Sequence, residues 1–267
     1  MPELPEVETY RRYFEETSLY QPIVDVYVQD TKLLTTDYDV LVEKLRNKQF
    51  IGTKRIGKNL FAQLDAPYWL HFHFGMTGDL AYFRDEEDTP RFARIVFRFA
   101  NGFKLGFLCP RKFERIGIVE NIDGYLTRKK INKDALEISV EELSKTLKKK
   151  NAPIKSVLLD QSTVAGIGNW IVDDVLFQAK IHPERISSQL SGNEIVEIHK
   201  AIKLVIQTAI DCQANYDDFP TNFLIHARGW GIQKNELIGK CPDCGEQISI
   251  TKVGGRTTFF CPTRQIL

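Results

Sequence analysis

Leu4, Val7, Tyr10 or Arg11, and Phe14 recur every three to four residues, which predicts an amphipathic helix over residues 3–17. Beyond it the period falls to two. Leu70, Phe72 and Phe74 alternate with Trp69, His71 and His73, and Ile95, Phe97 and Phe99 with Arg94, Val96 and Arg98. Residues 18–120 therefore read as mostly β, a two-layer sandwich or a barrel. Asn101-Gly102 is expected to make a tight hairpin turn, because both residues tolerate positive φ. The helical period returns after about residue 134. Ile195, Ile198, Ile202, Val205, Ile206 and Ala209 form a stripe behind Ser191 and Glu194, a capping-box pair, so residues 135–215 read as helical. A Cys- and Gly-rich stretch expected to form a hairpin follows. The resulting division is 1–120, a basic linker at 121–134, a helical domain at 135–236 and a hairpin at 237–267, an α+β multidomain chain.

Composition narrows the class. The chain has 267 residues, 43% of them apolar and 27% charged, as in ordinary globular proteins. No apolar run approaches the roughly 20 residues of a membrane span, and no basic-then-apolar leader opens the chain. The expected location is cytoplasmic, with the nucleoid as the site if the source is bacterial. Net charge is only +1, but it is unevenly spread: −3 over residues 1–100, +6 over 101–155, −5 over 156–221 and +3 over 222–267. Two basic segments could form a local footprint for nucleic acid. A solvated helix face is the plainer reading of Lys148, Lys149 and Lys150. The five cysteines, Cys109, Cys212, Cys241, Cys244 and Cys261, do not make a secreted disulfide framework.

Several short motifs carry chemistry. Cys241-Pro-Asp-Cys244 and Cys261-Pro-Thr-Arg264 have the spacing of a zinc ribbon, in which two turns present four thiolates. Arg264 occupies the fourth position. Three thiolates could hold zinc with a water or displaced ligand, and a metal-free hairpin held by packing is the alternative. Gly254-Gly255-Arg256 is expected at the hairpin turn, where an arginine suits phosphate contact. Gly166 and Gly168 precede Asn169 in a link between apolar helices, which would expose backbone N–H groups to an anion, with Asn169 as a further donor. Plain helix packing explains the same glycines. Lys58 is expected at the tip of a strand–strand turn, in Arg55-Ile-Gly57-Lys58-Asn59. Met76 lies between Gly75 and Gly78, where it could wedge between bases or merely fill a core. Arg111 and Phe113 lie on a loop begun by Pro110, a cation and an aromatic suited to an opened base stack. The alternative is a surface turn with Phe113 tucked inward. His71 and His73 share a strand face at a metal-like spacing without a third ligand, and are read as structural or phosphate-facing.

The opening MPELPEVETY raises a sharper possibility. Removal of Met1 would make Pro2 the N-terminus. An α-amine has a pKa of about 7.7–8, against about 10.4 for lysine. A following helix N-terminus lowers it further by disfavouring a cation there. A secondary amine condensing with an aldehyde yields only a charged iminium, an electron sink. Glu3 could protonate a sugar oxygen or shuttle protons. Glu6, one turn on, could position the amine or cap backbone N–H groups. Three glutamates complementing an ordinary helix dipole would look the same.

Taken in order, PELPEVE, the GK at 57–58, HFGMTG, PRKF, VAGIGN and GRTTFFCP make the chain resemble the Fpg/Nei family of bifunctional DNA glycosylases from Pro2 to Gln265. The resemblance implies a β-sandwich with an N-terminal helix, then a helix–two-turn–helix domain ending in a zinc-finger-like β-hairpin. It implies Pro2 as Schiff-base nucleophile, Glu3 as acid and Glu6 as a further active-site carboxylate. Lys58, Asn169 and Arg256, with His73 as a weaker candidate, would grip phosphates. Met76, Arg111 and Phe113 would fill the gap left by a flipped nucleotide. Cys241, Cys244 and Cys261 would be metal ligands. Three departures stand out. Arg264 replaces the fourth zinc cysteine, and Asp174 replaces a glutamate. Asp211–Ala227 lacks the Gly-rich loop that caps oxidised purines, which points away from 8-oxoguanine. The implied activity is excision of oxidised bases such as formamidopyrimidines or hydantoins from duplex DNA, followed by strand cleavage, by a monomer without membrane or protein partners. A non-catalytic protein that recognises damaged or abasic DNA would share the scaffold. A zinc-ribbon protein contacting RNA or another protein would explain only the C-terminus.

Overall fold

A computed structural model describes residues 2–86, 88–228 and 239–267. Met1, and with it the question of its removal, lies outside the described residues, as does the expected boundary at 236/237. The chain divides into two compact units, residues 1–129 and 130–267.

The first unit begins with helix α1 (Leu4–Ser18). Pro5 is tolerated in its first turn because that N–H has no intrahelical partner. Two four-stranded antiparallel sheets follow. One has the order β2 (Phe50–Ile56), β3 (Asn59–Leu64), β4 (Trp69–His73), β8 (Arg115–Val119). The other has the order β1 (Ile23–Val28), β6 (Ala93–Phe99), β7 (Lys104–Leu108), β5 (Asp79–Phe83). Alternating residues of both sheets meet in one core. Phe72 lies 5.4 Å from Phe107 and 6.2 Å from Phe97, ring centre to ring centre. Phe14 of α1 closes the same core edge-on against Phe50 and Phe72. The architecture is a sandwich rather than a closed barrel.

Three details differ from the sequence reading. A helix, α2 (Tyr38–Leu45), interrupts the β region, with Leu41 and Leu45 buried. The turn at Asn101-Gly102 is a four-residue loop in which only Gly102 has positive φ, at 85°. Asn101 instead accepts the Phe103 N–H through its side chain, an Asx-type turn. The basic stretch expected as a linker at 121–134 contains a helix: α3 (Ile122–Lys129) packs Ile122, Tyr125 and Leu126 on Phe61, Val119 and Trp69.

The second unit holds α4 (Val140–Leu147), α5 (Ile154–Leu159), α6 (Asn169–Gln178) and α7 (Gly192–Asp211), then the hairpin β9 (Ser249–Val253)–β10 (Arg256–Phe260). The Ser191/Glu194 capping box is formed, with Ser191 N–H donating to Glu194 at 2.7 Å. Residues 170–177 of α6 are all buried, which puts Asp173 and Asp174 in the interior. Lys150 is not a plain solvated side chain: it donates to Asp160 and Thr163 at the start of the glycine link. Among the described residues no helix is long and apolar enough to cross a membrane.

Candidate active site and nucleic-acid interface

The first unit places Pro2, buried, directly ahead of Glu3, the N-cap residue of α1. Glu3 and Glu6 form a reciprocal capping box. The Glu3 side chain accepts the Glu6 N–H, and Glu6 Oε2 accepts the Glu3 N–H at 2.9 Å. Of the two roles foreseen for Glu6, capping is the one seen. Glu3 is only 2% exposed, so its carboxyl meets little solvent.

Lys58 and Gly57 are the two central residues of the β2–β3 turn, and Gly57 supplies the positive φ of 57°. Both flanks of the turn are pinned. Arg55 donates to the Gly57 carbonyl at 3.3 Å, and Asn59 Nδ2 to the Ile56 carbonyl at 3.2 Å. Arg55 Nε is in turn held by Glu8 of α1 at 3.0 Å. Burial alone would push the Glu8 carboxyl up, but the Arg11 and Arg55 guanidiniums outweigh it and hold it below its ordinary value. Glu8 thus ties the helix that carries Glu3 to the turn that carries Lys58, a link that periodicity did not reveal.

His71 is buried between Phe61 and Tyr125, with Nε2 2.9 Å from Asn59 Oδ1. Burial, then His73 and Lys129, lower its pKa to about 3, so it is a neutral structural ring. His73 is also lowered, by burial and then by Lys58, Arg115 and Lys129. Its Nδ1 accepts the Gly75 N–H at 3.2 Å, which leaves Nε2 as the protonated donor of the neutral ring. Met76 is half-buried on the loop after β4. Phe113 is 53% exposed and not tucked inward, with the Arg111 guanidinium 5.3 Å from its ring centre.

The second unit carries its own set of candidate residues. Gly168 is the N-cap of α6 and Asn169 its first residue. Gly166 holds φ at 110°, and Gln161 staples the loop by accepting from Gly166 N–H and donating to the Ile167 carbonyl. Asn169 Nδ2 donates to the Thr257 carbonyl at 3.1 Å, so the helix start and the hairpin share a contact one residue from Arg256. Lys155 donates to the same carbonyl at 2.9 Å and to Asp173 at 2.7 Å. Lys155 and Asp173 are both fully buried. Gly254 and Gly255 take positive φ at the hairpin turn, and Arg256 begins β10. Asp174 is fully buried and accepts the Leu224 N–H at 2.7 Å. Burial raises its pKa to about 7. The sequence clue to this interior was an acidic pair inside an otherwise apolar helix, since a buried charge requires a partner.

Cys241, Cys244 and Cys261 bring their Sγ atoms within 4.8 Å of one another, and this cluster could hold a metal ion. Arg264, which stands at the fourth position of the motif, pairs with Asp243 at 2.6 Å and so bridges the two cysteine turns.

Known proteins resemble the chain in sequence and in fold. Residues 1–116 match the formamidopyrimidine-DNA glycosylase N-terminal domain, and residues 132–219 match its H2TH domain. The formamidopyrimidine-DNA glycosylase of Pelotomaculum thermopropionicum is 34% identical, over 99% of both chains. That of Arabidopsis thaliana is 33% identical, over all of this chain and 71% of its own. The crystal structure of the Lactococcus lactis protein with FAPY-dG-containing DNA superposes with a TM-score of 0.88 at 29% identity, over 99% of this chain and all of that one. Matched along essentially its whole length, in sequence and in fold, the chain belongs to the Fpg/Nei family of DNA glycosylases.

Proposed function

We propose that this chain is a base-excision-repair DNA glycosylase with abasic-site lyase activity, acting as a monomer on oxidised bases in duplex DNA. One observation carries the reading: Glu3 and Glu6 form a reciprocal capping box at the start of the helix that Pro2 precedes in sequence, in a chain matched to glycosylases from end to end. Formamidopyrimidines are the first candidate lesion, because the Lactococcus lactis relative was solved with one in its DNA.

Once Met1 is removed, the Pro2 nitrogen would attack C1′ of the flipped nucleotide as the glycosidic bond breaks and the base leaves. Glu3 would protonate the sugar ring oxygen, opening the ring to a C1′ iminium. Proton loss at C2′ would then expel the 3′ phosphate, and a second elimination the 5′ phosphate. Lys58, His73, Asn169 and Arg256 would hold phosphates, which fix position without reading sequence. Met76, Arg111 and Phe113 would fill the vacated stack and offset the few kcal/mol of extrusion. Zinc would fit Cys241, Cys244 and Cys261 as three thiolates of a tetrahedral site. Bound there, it would crosslink the hairpin.

Borohydride trapping tests the reading. The purified protein should form a covalent adduct with duplexes bearing an abasic site or a formamidopyrimidine, and lose it when the N-terminus is acetylated. No adduct, with Pro2 shown to be the N-terminal residue, would leave a protein that binds damaged DNA without cutting it.

A further inference from the structure

Glu114 is fully buried, yet only one of its oxygens has a hydrogen-bond partner: Oε1 accepts from Thr77 Oγ1 at 3.3 Å, and Oε2 has none among the described residues. A buried, half-satisfied carboxyl weakens a fold, so stability does not explain it. Its position is more informative. Thr77 is the neighbour of Met76, and Glu114 is the neighbour of Phe113. The two loops are also in contact through backbone. A Cβ on Gly75 would lie 2.7 Å from the Phe113 carbonyl carbon and 2.8 Å from the Glu114 nitrogen. A Cβ on Gly78 would lie 2.8 Å from Glu114 Cγ. The glycines on either side of Met76-Thr77 therefore let that loop seat directly on residues 113–114. On the far side, Arg115 donates to the Lys112 carbonyl at 3.0 Å and Lys112 pairs with Asp30 at 2.7 Å. The Phe113 loop is thus anchored from both ends.

We propose that Glu114 is a positioning residue that latches the Met76 loop to the Arg111–Phe113 loop, so that the three side chains enter a DNA stack as one wedge. This rests on the reading of those side chains as void fillers. The latch matters because two loops that insert separately must each be ordered on binding, whereas a prelatched pair is already arranged.

The test uses the full chain and a readout that needs no catalysis. A duplex carries 2-aminopurine opposite a stable tetrahydrofuran abasic analogue, and its fluorescence reports wedge insertion in stopped flow. Wild type should give one insertion phase. Glu114→Leu should split or slow it by up to about a hundredfold, the scale at which small misplacements act. Glu114→Gln, which keeps an acceptor for Thr77, should restore it, and Thr77→Val should resemble Glu114→Leu. Glu114→Leu should retain or raise the melting temperature, which separates the latch from a folding defect. Borohydride trapping on a single-stranded abasic oligonucleotide, where no opposite base leaves a void, should stay within about twofold of wild type for every variant. An unchanged insertion phase in Glu114→Leu, an equal loss in trapping and insertion, or no wild-type insertion signal would overturn the latch. A wild type that inserts but never traps would overturn the catalytic reading and leave the latch standing.

Discussion

The carboxyl of Glu3 accepts a backbone N–H at the start of α1, so its capping role and the acid role proposed for it would draw on one group. Glutamine can still accept that N–H but cannot donate an acidic proton. Glu3→Gln should therefore fold normally and bind damaged duplex while single-turnover base release drops by about a hundredfold or more. Release at the wild-type rate would remove Glu3 from the acid role. Asp174 offers a residue-scale prediction in pH. Burial lifts its pKa from 3.8 to about 7. Across that window the folded chain keeps a proton that the unfolded chain gives up, so this contribution is full below about 3.8 and is lost as pH rises towards 7. The slope is at most about 1.4 kcal/mol per pH unit. Asp174→Asn keeps the acceptor for Leu224 N–H and should flatten stability over this range and raise it at pH 7.5, as measured by denaturant titration.

At the scale of elements, the hairpin is fastened to α5 and α6 through buried polar groups. Lys155 of α5 reaches both Asp173 of α6 and the Thr257 carbonyl of β10. Asp173 Oδ2 also accepts weakly from Phe259 N–H, at 3.5 Å, and Arg228 lies 3.5 Å from the same oxygen. Lys155→Met should cost about 3 kcal/mol, the lower end for removing one partner of a buried pair, since Arg228 still partly compensates Asp173. Urea unfolding would measure it, and a cost below about 0.5 kcal/mol would show that the lysine is not needed to hold the pair. The same elements show how far pattern reading reached. The α1 and α7 stripes, the Ser191 cap and the Gly254-Gly255 turn were legible because each is a local rule of period or φ. Helix α2 was not, because Leu41 and Leu45 alone give too short an apolar stripe to stand out from the β pattern around it.

For the molecule as a whole, phosphate-binding candidates fall in both units: Lys58 and His73 in the first, Asn169 and Arg256 in the second. If each cation meets a phosphate, Lys58→Ala and Arg256→Ala should each weaken damaged-DNA binding and each reduce the salt slope by about one. Fluorescence anisotropy at several salt concentrations would decide this residue by residue, and an unaltered slope removes that residue from the contact. The hairpin gives a second whole-chain prediction. Arg264→Cys supplies a fourth thiolate and removes the partner of Asp243, so zinc per chain should rise, and metal analysis would check it.

The order of motifs from PELPEVE to GRTTFFCP was enough to name the family and to point at Pro2, Glu3, Glu6, Lys58, Met76, Arg111, Phe113, Asn169 and Arg256, because each sits in a short local pattern. Partners distant in sequence were not readable. Glu8 with Arg55, Lys155 with Asp173 and Thr257, and Glu114 with Thr77 lie 47, 18, 102 and 37 residues apart. The sequence by itself determined which residue types stand in which local conformation, through periodicity, capping and the φ freedom of glycine. Only the tertiary structure decided which of them share a buried hydrogen bond, because close packing and desolvation act between residues that the chain order leaves far apart.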